Sequence, residues 1–246
     1  MESTVGLELD PEDILEVKLT ESQKEICERI IRICQHFFTK GYSARIPFRG
    51  ILLSGPPSTG KTEIVRQAAR KLALMRRPKI RLKFVDSADI ASPKWGDAED
   101  KLRKVFKTDD ESTKTLILFD DIDCLMMERG SHLSKEWHFS INSIIFHELD
   151  RINPSNMIVI ATTNRPDLVD KALKSRLYEI EVPSPPKDEL LAIAEDMIRS
   201  MLDSEIKVEA LMNIIRKRIE KGQRLSHDDL WNMMWFVQWV VGTIPT

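Results

Sequence analysis

Residues 51–62 read ILLSGPPSTGKT and join an apolar strand to a glycine-bounded loop, which a helical pattern then follows. The loop fits G-x-x-x-x-G-K-[ST]. Such a loop turns its backbone N–H groups toward an anion, and the helix N-terminus behind it adds partial positive charge. The residues predicted to bind phosphate are Gly55, Pro56, Pro57, Ser58, Thr59, Gly60, Lys61, Thr62 and Glu63.

Two side chains of this loop carry specific chemistry. Lys61 can reach the β- and γ-phosphates of a nucleotide, and the Thr62 hydroxyl can hold Mg²⁺. The competing interpretation is a Gly/Pro turn that only links a strand to a helix. We favour the phosphate-binding loop because the motif is long and both flanks have the required type.

Strand and helix patterns alternate along the chain up to residue 182. Thr20 and Gln23 form a capping box ahead of a helix predicted at 20–40. The other predicted helices are 63–75, 101–106, 134–152 and 167–174, and the predicted strands are 51–53, 80–85, 115–119, 157–161 and 178–182. This order implies an α/β fold, with a parallel sheet flanked by helices. The alternation of apolar and basic residues in 80–85 is typical of an edge strand.

The proline-rich segment 183–186 ends this alternation. Beyond it only helices are predicted, at 187–201, 205–220 and 226–241. We therefore predict two units, an α/β unit at 1–182 that includes the N-terminal helical segment, and a small all-helical unit at 183–246.

Composition excludes several classes of protein. The formal net charge of −2 gives no general attraction to nucleic acid or to an anionic membrane. No signal peptide and no run of 18 apolar residues is visible, so we expect a cytoplasmic protein without a membrane segment. Cys27, Cys34 and Cys124 form no ligand cluster, which favours a core role in a reducing compartment. We expect no metal site beyond Mg²⁺.

Acidic and amide side chains follow two of the predicted buried strands. Asp120 and Asp121 end the run LILFDDID, where a parallel sheet presents its ligand-binding edge. Beside a phosphate-binding loop, Asp120 would orient Mg²⁺ and Asp121 would position or deprotonate the attacking water. Asn164 follows the next strand, and its amide could hold that water. The alternatives are a solvated acidic turn and a turn-forming asparagine.

Four ordered motifs resemble those of an ATPase of the AAA family, within the wider AAA+ group. Katanin, spastin and the proteasomal ATPases belong to that family. The motifs are GPPSTGKT at 55–62, FDDID at 119–123, ATTNRPDLVDKAL at 161–173, and Ser175-Arg176 ahead of EVPSPP at 181–186. The resemblance covers about 47–241, nearly the whole chain.

The resemblance implies a nucleotide-binding α/β subdomain at 1–182 and a helical lid at 183–246. It also implies a homo-oligomeric ring, usually a hexamer, that couples ATP hydrolysis to remodelling of a macromolecule. Asn164 is similar to the residue called sensor 1. Arg176 resembles the arginine finger, which reaches the γ-phosphate bound by the neighbouring subunit. A surface arginine is the alternative for Arg176.

The chain departs from the family pattern at several positions. Asp121 stands where the family has Glu, which suggests slow hydrolysis or an adjusted geometry, and Ser58 stands where Gly is typical. In the segment similar to the family's pore loop, Lys94 holds the aromatic position and Trp95 follows it. An exposed Trp95 would suit gripping of a polypeptide, while a buried one would pack under the loop.

Other functions stay open at this point. A replication-initiator or helicase-loader ATPase acting on nucleic acid is favoured by the Asp pair and by the basic residues Arg76, Arg77, Lys79, Arg81 and Lys83. Those basic residues are more typical of a strand's solvated face. A nucleotide-gated adaptor with little turnover is a third possibility.

The segment ahead of the loop strand is short, so the choice of target would depend on that segment, on the pore loop or on a partner. The stripe Trp231, Trp235 and Trp239 would form lid core or a subunit contact.

Overall fold

The computed structural model describes residues 7–43, 45–75, 78–90, 97–107, 112–125, 132–201 and 205–221. Arg76, Arg77, Lys94, Trp95 and the predicted helix 226–241 with its tryptophans lie outside these residues. The strands are β1 Leu7–Leu9, β2 Gly50–Ser54, β3 Ile80–Asp86, β4 Lys114–Asp120, β5 Met157–Thr163 and β6 Leu177–Glu181. The α-helices are α1 Glu21–Lys40, α2 Lys61–Leu74, α3 Ser87–Ile90, α4 Asp97–Val105, α5 His132–Arg151, α6 Lys171–Lys174, α7 Lys187–Met201 and α8 Glu205–Glu220. Short 3₁₀ turns cover Pro11–Asp13 and Ile122–Leu125.

One six-stranded sheet has the strand order β1-β3-β4-β5-β2-β6. All neighbours pair in parallel except β1, which runs antiparallel to β3. The loop strand β2 therefore lies between β5 and β6, with Gly50 in register with both Val159 and Leu177. This mixed architecture with helices on the sheet confirms the predicted α/β class.

The prediction that 80–85 is an edge strand was wrong. β1 covers the outer edge of β3, with Glu8 opposite Lys83 in register. The basic face is also less solvated than predicted, because Lys83 is only 8% exposed and its ammonium donates to the carbonyls of Val105 at 3.2 Å and Lys107 at 2.6 Å. The prediction missed β1 because three residues, LEL, give too short a pattern to indicate a strand.

Two apolar layers sandwich the sheet. One lies under α1 and α2 and includes the fully buried thiols of Cys27 and Cys34; the other lies under α4 and α5. Burial raises the pKa of Cys34 to about 12, which keeps this thiol neutral. The core role predicted for these two cysteines is confirmed, whereas Cys124 is only half-buried.

The helix α1 begins with the predicted capping box. The Thr20 hydroxyl accepts from the Gln23 backbone N–H at 3.2 Å, and the Gln23 side-chain oxygen accepts from the Thr20 N–H at 2.9 Å. These bonds satisfy two N–H groups that would otherwise lack partners. The start of α1 is thereby fixed next to the end of the phosphate-binding loop.

Beyond residue 182, α7 and α8 pack on each other through an apolar cluster that includes Ile198, Leu211 and Ile215. Both helices have the predicted bounds. Near the α/β part, Lys18 pairs with Asp196 of α7, and the Glu21 backbone N–H donates to Glu189 at 3.2 Å. Among the described residues, no helix is long and apolar enough to cross a membrane.

Candidate functional site

The phosphate-binding loop needs glycine at both of its ends. Gly55 has φ 151° and Gly60 has φ 80°. A Cβ on Gly55 would lie 2.2 Å from the Val182 carbonyl oxygen, and one on Gly60 would lie 2.8 Å from the Gln23 amide nitrogen. A side chain at either position would therefore clash and adopt an unfavourable backbone conformation.

In the middle of the loop, the backbone conformation is unfavourable for the residue present. Ser58 is exposed and has φ 62°, in the left-handed region that favours glycine. This explains why glycine suits the position better than the serine of this chain. The next residue, Thr59, is buried, and its hydroxyl donates to the Pro56 carbonyl at 3.0 Å, which closes the loop on itself.

Lys61 points back across the loop. It is 6% exposed, and its ammonium donates to the carbonyls of Gly55 at 3.0 Å and Pro56 at 2.8 Å. A third bond, at 2.6 Å, goes to the side-chain oxygen of Asn164. Burial lowers the pKa of Lys61, while the nearby carboxylates of Asp121 and Asp120 act in the opposite direction. The two predicted residues Lys61 and Asn164 are thus brought into direct contact.

A second group of predicted residues meets at Asp120. One Asp120 carboxylate oxygen accepts from the Thr62 hydroxyl at 2.6 Å and from the Thr162 hydroxyl at 2.7 Å. Carboxylate and hydroxyl oxygens are ligands that Mg²⁺ accepts together with water and phosphate. The donor set of Thr62 and Asp120 therefore fits the predicted magnesium site.

Asp121 lies beside both groups. It adopts φ 47°, and its backbone N–H donates to the Thr162 hydroxyl at 3.0 Å. Its carboxylate accepts from the Asn164 side-chain nitrogen at 3.0 Å. Burial is the main cause that raises the pKa of Asp121, and the charges of Asp120 and Asp123 raise it further. Asn164 therefore bridges the loop lysine and the carboxylate predicted to act on water.

The Glu63 side chain is turned along its own helix rather than toward the loop. Its carboxylate accepts from the Gln67 amide at 2.7 Å. What Glu63 can offer a phosphate is its backbone N–H, which belongs to the first turn of α2, where N–H groups lack intrahelical partners.

Arg176 lies at the other end of the sheet. It directly precedes β6, whose first residue is in register with Gly50, and its carbonyl accepts from the Arg49 backbone N–H at 2.8 Å. Arg49 lies six residues before Gly55, a separation of about 20 Å at the rise of a strand. The guanidinium donates to both oxygens of Asp150, at 2.9 and 2.8 Å, and lies 5.3 Å from the centre of the Phe146 ring. The Arg176 bond holds the pKa of Asp150 below its ordinary value. Arg176 is therefore not part of its own chain's loop network.

Sequence reasoning did not place three residues of this site in it. Thr162 links Asp120 to Asp121, Thr163 donates to Asp123 at 2.6 Å, and Gln23 reaches the loop from α1. The signal for the threonines was their position, since β5 is the direct neighbour of β4 and both strands end at this edge. No local pattern indicated the second contact of Gln23.

Comparison with known proteins identifies the family. The sequence model described as "ATPase family associated with various cellular activities (AAA)" matches residues 51–184, which include the loop, the Asp pair, Asn164 and Arg176. The chain belongs to the AAA ATPase family. A solved structure of the FIGL-1 AAA domain covers 86% of this chain and 69% of its own, with a TM-score of 0.62 and 22% identity, and so supports the same fold.

Curated relatives in the AAA family have diverse names. The ATPase histone chaperone YTA7 of Saccharomyces cerevisiae is 40% identical over 129 residues, 52% of this chain and 9% of its own. The vesicle-fusing ATPase of Caenorhabditis elegans is 32% identical over 160 residues, 56% of this chain and 19% of its own. The cell division cycle protein 48 homolog of Archaeoglobus fulgidus is 31% identical over 173 residues, 68% of this chain and 23% of its own. This chain matches less than a quarter of the length of each of these relatives.

Proposed function

We propose that this AAA ATPase chain binds ATP with Mg²⁺ and hydrolyses it to ADP and phosphate. One observation carries the proposal: Lys61, Asn164 and Asp121 form a continuous hydrogen-bonded chain beside the Thr62–Asp120 pair. This places a cation, an amide and two carboxylates around the end of the phosphate-binding loop. A structural turn would need no such convergence of buried charge.

The roles follow from the contacts. The loop N–H groups and Lys61 would bind the phosphates, for which the ammonium exchanges a carbonyl partner for a phosphate oxygen. Thr62 and Asp120 would hold Mg²⁺, which neutralises phosphate charge when bound. Thr162 supports both aspartates, because its hydroxyl donates to Asp120 and accepts from the Asp121 backbone.

Asp121 would orient the attacking water and accept its proton. Its raised pKa makes it a stronger base than an ordinary aspartate, which partly offsets its shorter reach compared with the family's glutamate. The Asn164 amide holds the carboxylate at 3.0 Å and would also orient the water. We propose that hydrolysis proceeds in this adjusted geometry.

Arg176 would act on a neighbouring copy. Its own loop lies about 20 Å away along β2 and β6, so it cannot serve the phosphates bound by its own chain. We therefore propose a homo-oligomeric ring, a hexamer by analogy with the family, in which Arg176 stabilises charge at the adjoining site. The helical part from residue 183 would form the lid of each site.

For the substrate, we propose a protein that is remodelled or translocated, with an adaptor selecting it. The named relatives include a histone chaperone and a vesicle-fusing ATPase, which favours a protein target over nucleic acid. The burial of Lys83 weakens the case for a nucleic-acid surface on β3. Buried free cysteines suit a reducing compartment, and we place the protein in the cytoplasm.

The test is steady-state ATP hydrolysis with and without candidate effectors. Lys61→Ala should weaken nucleotide binding and lower kcat/KM by more than about 100-fold. Lys171→Ala, which removes an exposed lysine of α6, is the matched control and should behave as wild type. Unchanged activity in Lys61→Ala would refute the proposal.

The same assay separates the alternatives. Stimulation by an unfolded protein supports remodelling, whereas stimulation by single-stranded DNA that falls steeply with salt supports the replication-initiator alternative. Tight binding with scarcely measurable turnover would instead identify a nucleotide-gated adaptor. Sedimentation of the nucleotide-bound chain would report the size of the assembly.

A further inference from the structure

The side chain of Gln23 joins the start of α1 to the phosphate-binding loop. Its oxygen accepts from the Thr20 backbone N–H at 2.9 Å, as the capping box requires. Its nitrogen donates to the Thr59 carbonyl at 2.9 Å, 36 residues away in sequence. Both ends of one amide are therefore used, one for the helix and one for the loop.

The choice of glutamine over glutamate follows from this double use. Either residue satisfies a capping box, because each offers an oxygen to the N-cap N–H. Only glutamine also offers an N–H to a carbonyl. The helix alone would not require Gln at this position, whereas the bond to Thr59 does.

The bond to Thr59 fixes the orientation of one peptide unit. The Thr59 carbonyl and the Gly60 N–H belong to the same planar trans peptide, so they point in opposite directions. While the carbonyl faces Gln23, the Gly60 N–H faces away from α1. A flip of this peptide would exchange the two groups and put a carbonyl oxygen where an anion site needs a donor.

Two further contacts show that this peptide is held from several sides. The Thr59 hydroxyl donates to Pro56, which anchors the residue before the peptide. The Gln23 side-chain nitrogen lies only 2.8 Å from the position that a Cβ on Gly60 would take. Gln23 thus packs against the face of Gly60 that lacks a side chain, and glycine at 60 is required partly by Gln23 itself.

We propose that Gln23 is a positioning residue for nucleotide binding, which keeps the 59–60 peptide turned so that the Gly60 N–H donates to phosphate. This inference rests on the proposed nucleotide function. Gln23 acts through the loop backbone and not on the nucleotide. Its loss therefore weakens the binding of ADP and ATP alike and leaves Lys61 and the aspartates in place.

The experiment compares three variants for ADP affinity by calorimetry and for thermal stability without nucleotide. Gln23→Met removes the donor without adding charge, and Gln23→Glu keeps the cap acceptor while placing an oxygen against the Thr59 carbonyl. Thr20→Ala is the control, because it removes the hydroxyl of the same capping box and leaves the Gln23–Thr59 bond intact. Gln23→Met and Thr20→Ala each lose one bond of the capping box, whereas Gln23→Glu keeps both.

We expect both Gln23 variants to raise the Kd for ADP by about tenfold. A buried carbonyl that loses its hydrogen-bond partner carries a free-energy cost of that size, so the 59–60 peptide no longer holds the orientation that binds phosphate. Thr20→Ala should stay within about twofold of wild type in Kd while losing comparable thermal stability. The Gly60 amide resonance should shift on ADP addition in wild type and much less in Gln23→Met.

Three results would overturn the inference. If wild type binds ADP and both Gln23 variants bind equally well, Gln23 has no positioning role and the proposed function stands. If Thr20→Ala weakens binding as much as Gln23→Met, the effect belongs to the helix start in general. A wild-type chain that binds no nucleotide would refute the proposed function and this inference together.

Discussion

The two ends of strand β2 differ in the number of predicted site residues that contact one another there. At the carboxyl end, short hydrogen bonds join residues that lie in α2 or at the ends of β4 and β5, namely Lys61, Thr62, Asp120, Asp121 and Asn164. At the amino end, Arg176 pairs with Asp150 and contacts none of them. The parallel β2–β6 pair separates the two regions by its own length. If the proposed function holds, the parts of one reaction centre lie at opposite edges of each chain, and two copies would have to meet to assemble it.

The largest expected effect comes from the amino end. Arg176→Ala should lower kcat for ATP by about 1,000-fold, the magnitude associated with arginine fingers, while nucleotide Kd changes little. A defect in binding of the same size as the defect in turnover would mean that Arg176 only supports the fold. Arg32→Ala, at an exposed arginine that pairs with Glu28 on α1, serves as the control.

Asn164→Ala tests the carboxyl end. Because Asn164 joins Lys61 to Asp121, its loss should lower kcat by between about tenfold and 100-fold through misplaced groups, with a smaller change in KM. Asn156→Ala is the matched control, since Asn156 accepts from Lys114 at 2.6 Å outside this network. Equal effects of both substitutions on turnover would deny Asn164 a specific role.

Sequence predicted the carboxyl end better than the rest of the site. The loop, the Asp pair and Asn164 were singled out because each follows an apolar strand at a parallel-sheet edge, and the structure brings them together, while their roles stay predictions. The bounds of α7 and α8 followed from periodicity. Thr162 and the loop contact of Gln23 were missed because they depend on which strands and helices become neighbours. The same limit led to the wrong interpretation of Lys83 as solvated, whereas β1, which pairs antiparallel with β3, was missed because its pattern is too short.

A change of pH should affect the carboxyl end selectively. The raised pKa of Asp121 means that its base form is lost at a higher pH than for an ordinary aspartate. Turnover should therefore fall as pH decreases through that raised value, and a pH profile of kcat measures it.

The folded state binds the Asp121 proton more readily than the unfolded state, so Asp121 lowers stability as pH rises between its unfolded and folded pKa values. Asp121→Asn should accordingly raise the Tm at neutral pH; a lowered Tm would contradict the assigned shift.

The smallest effect concerns the loop itself. Ser58→Gly should increase the free energy of unfolding by about 0.5 kcal/mol. The free energy gained when the left-handed conformation of a non-glycine residue is relieved exceeds the free energy lost because glycine gives the unfolded chain more entropy. Ser58→Ala retains the conformational penalty and should give no gain. Urea denaturation of the two variants distinguishes backbone relief from loss of the hydroxyl.

The most direct test of a centre shared between copies mixes two inactive variants. Lys61→Ala lacks a working loop but keeps Arg176, and Arg176→Ala has the converse defect. After mixing in equal amounts and reassembly, about a quarter of the contacts between copies should pair an intact loop with an intact arginine, and ATPase activity should recover to about that fraction of wild type. Activity that stays at the sum of the two separate variants would contradict the account.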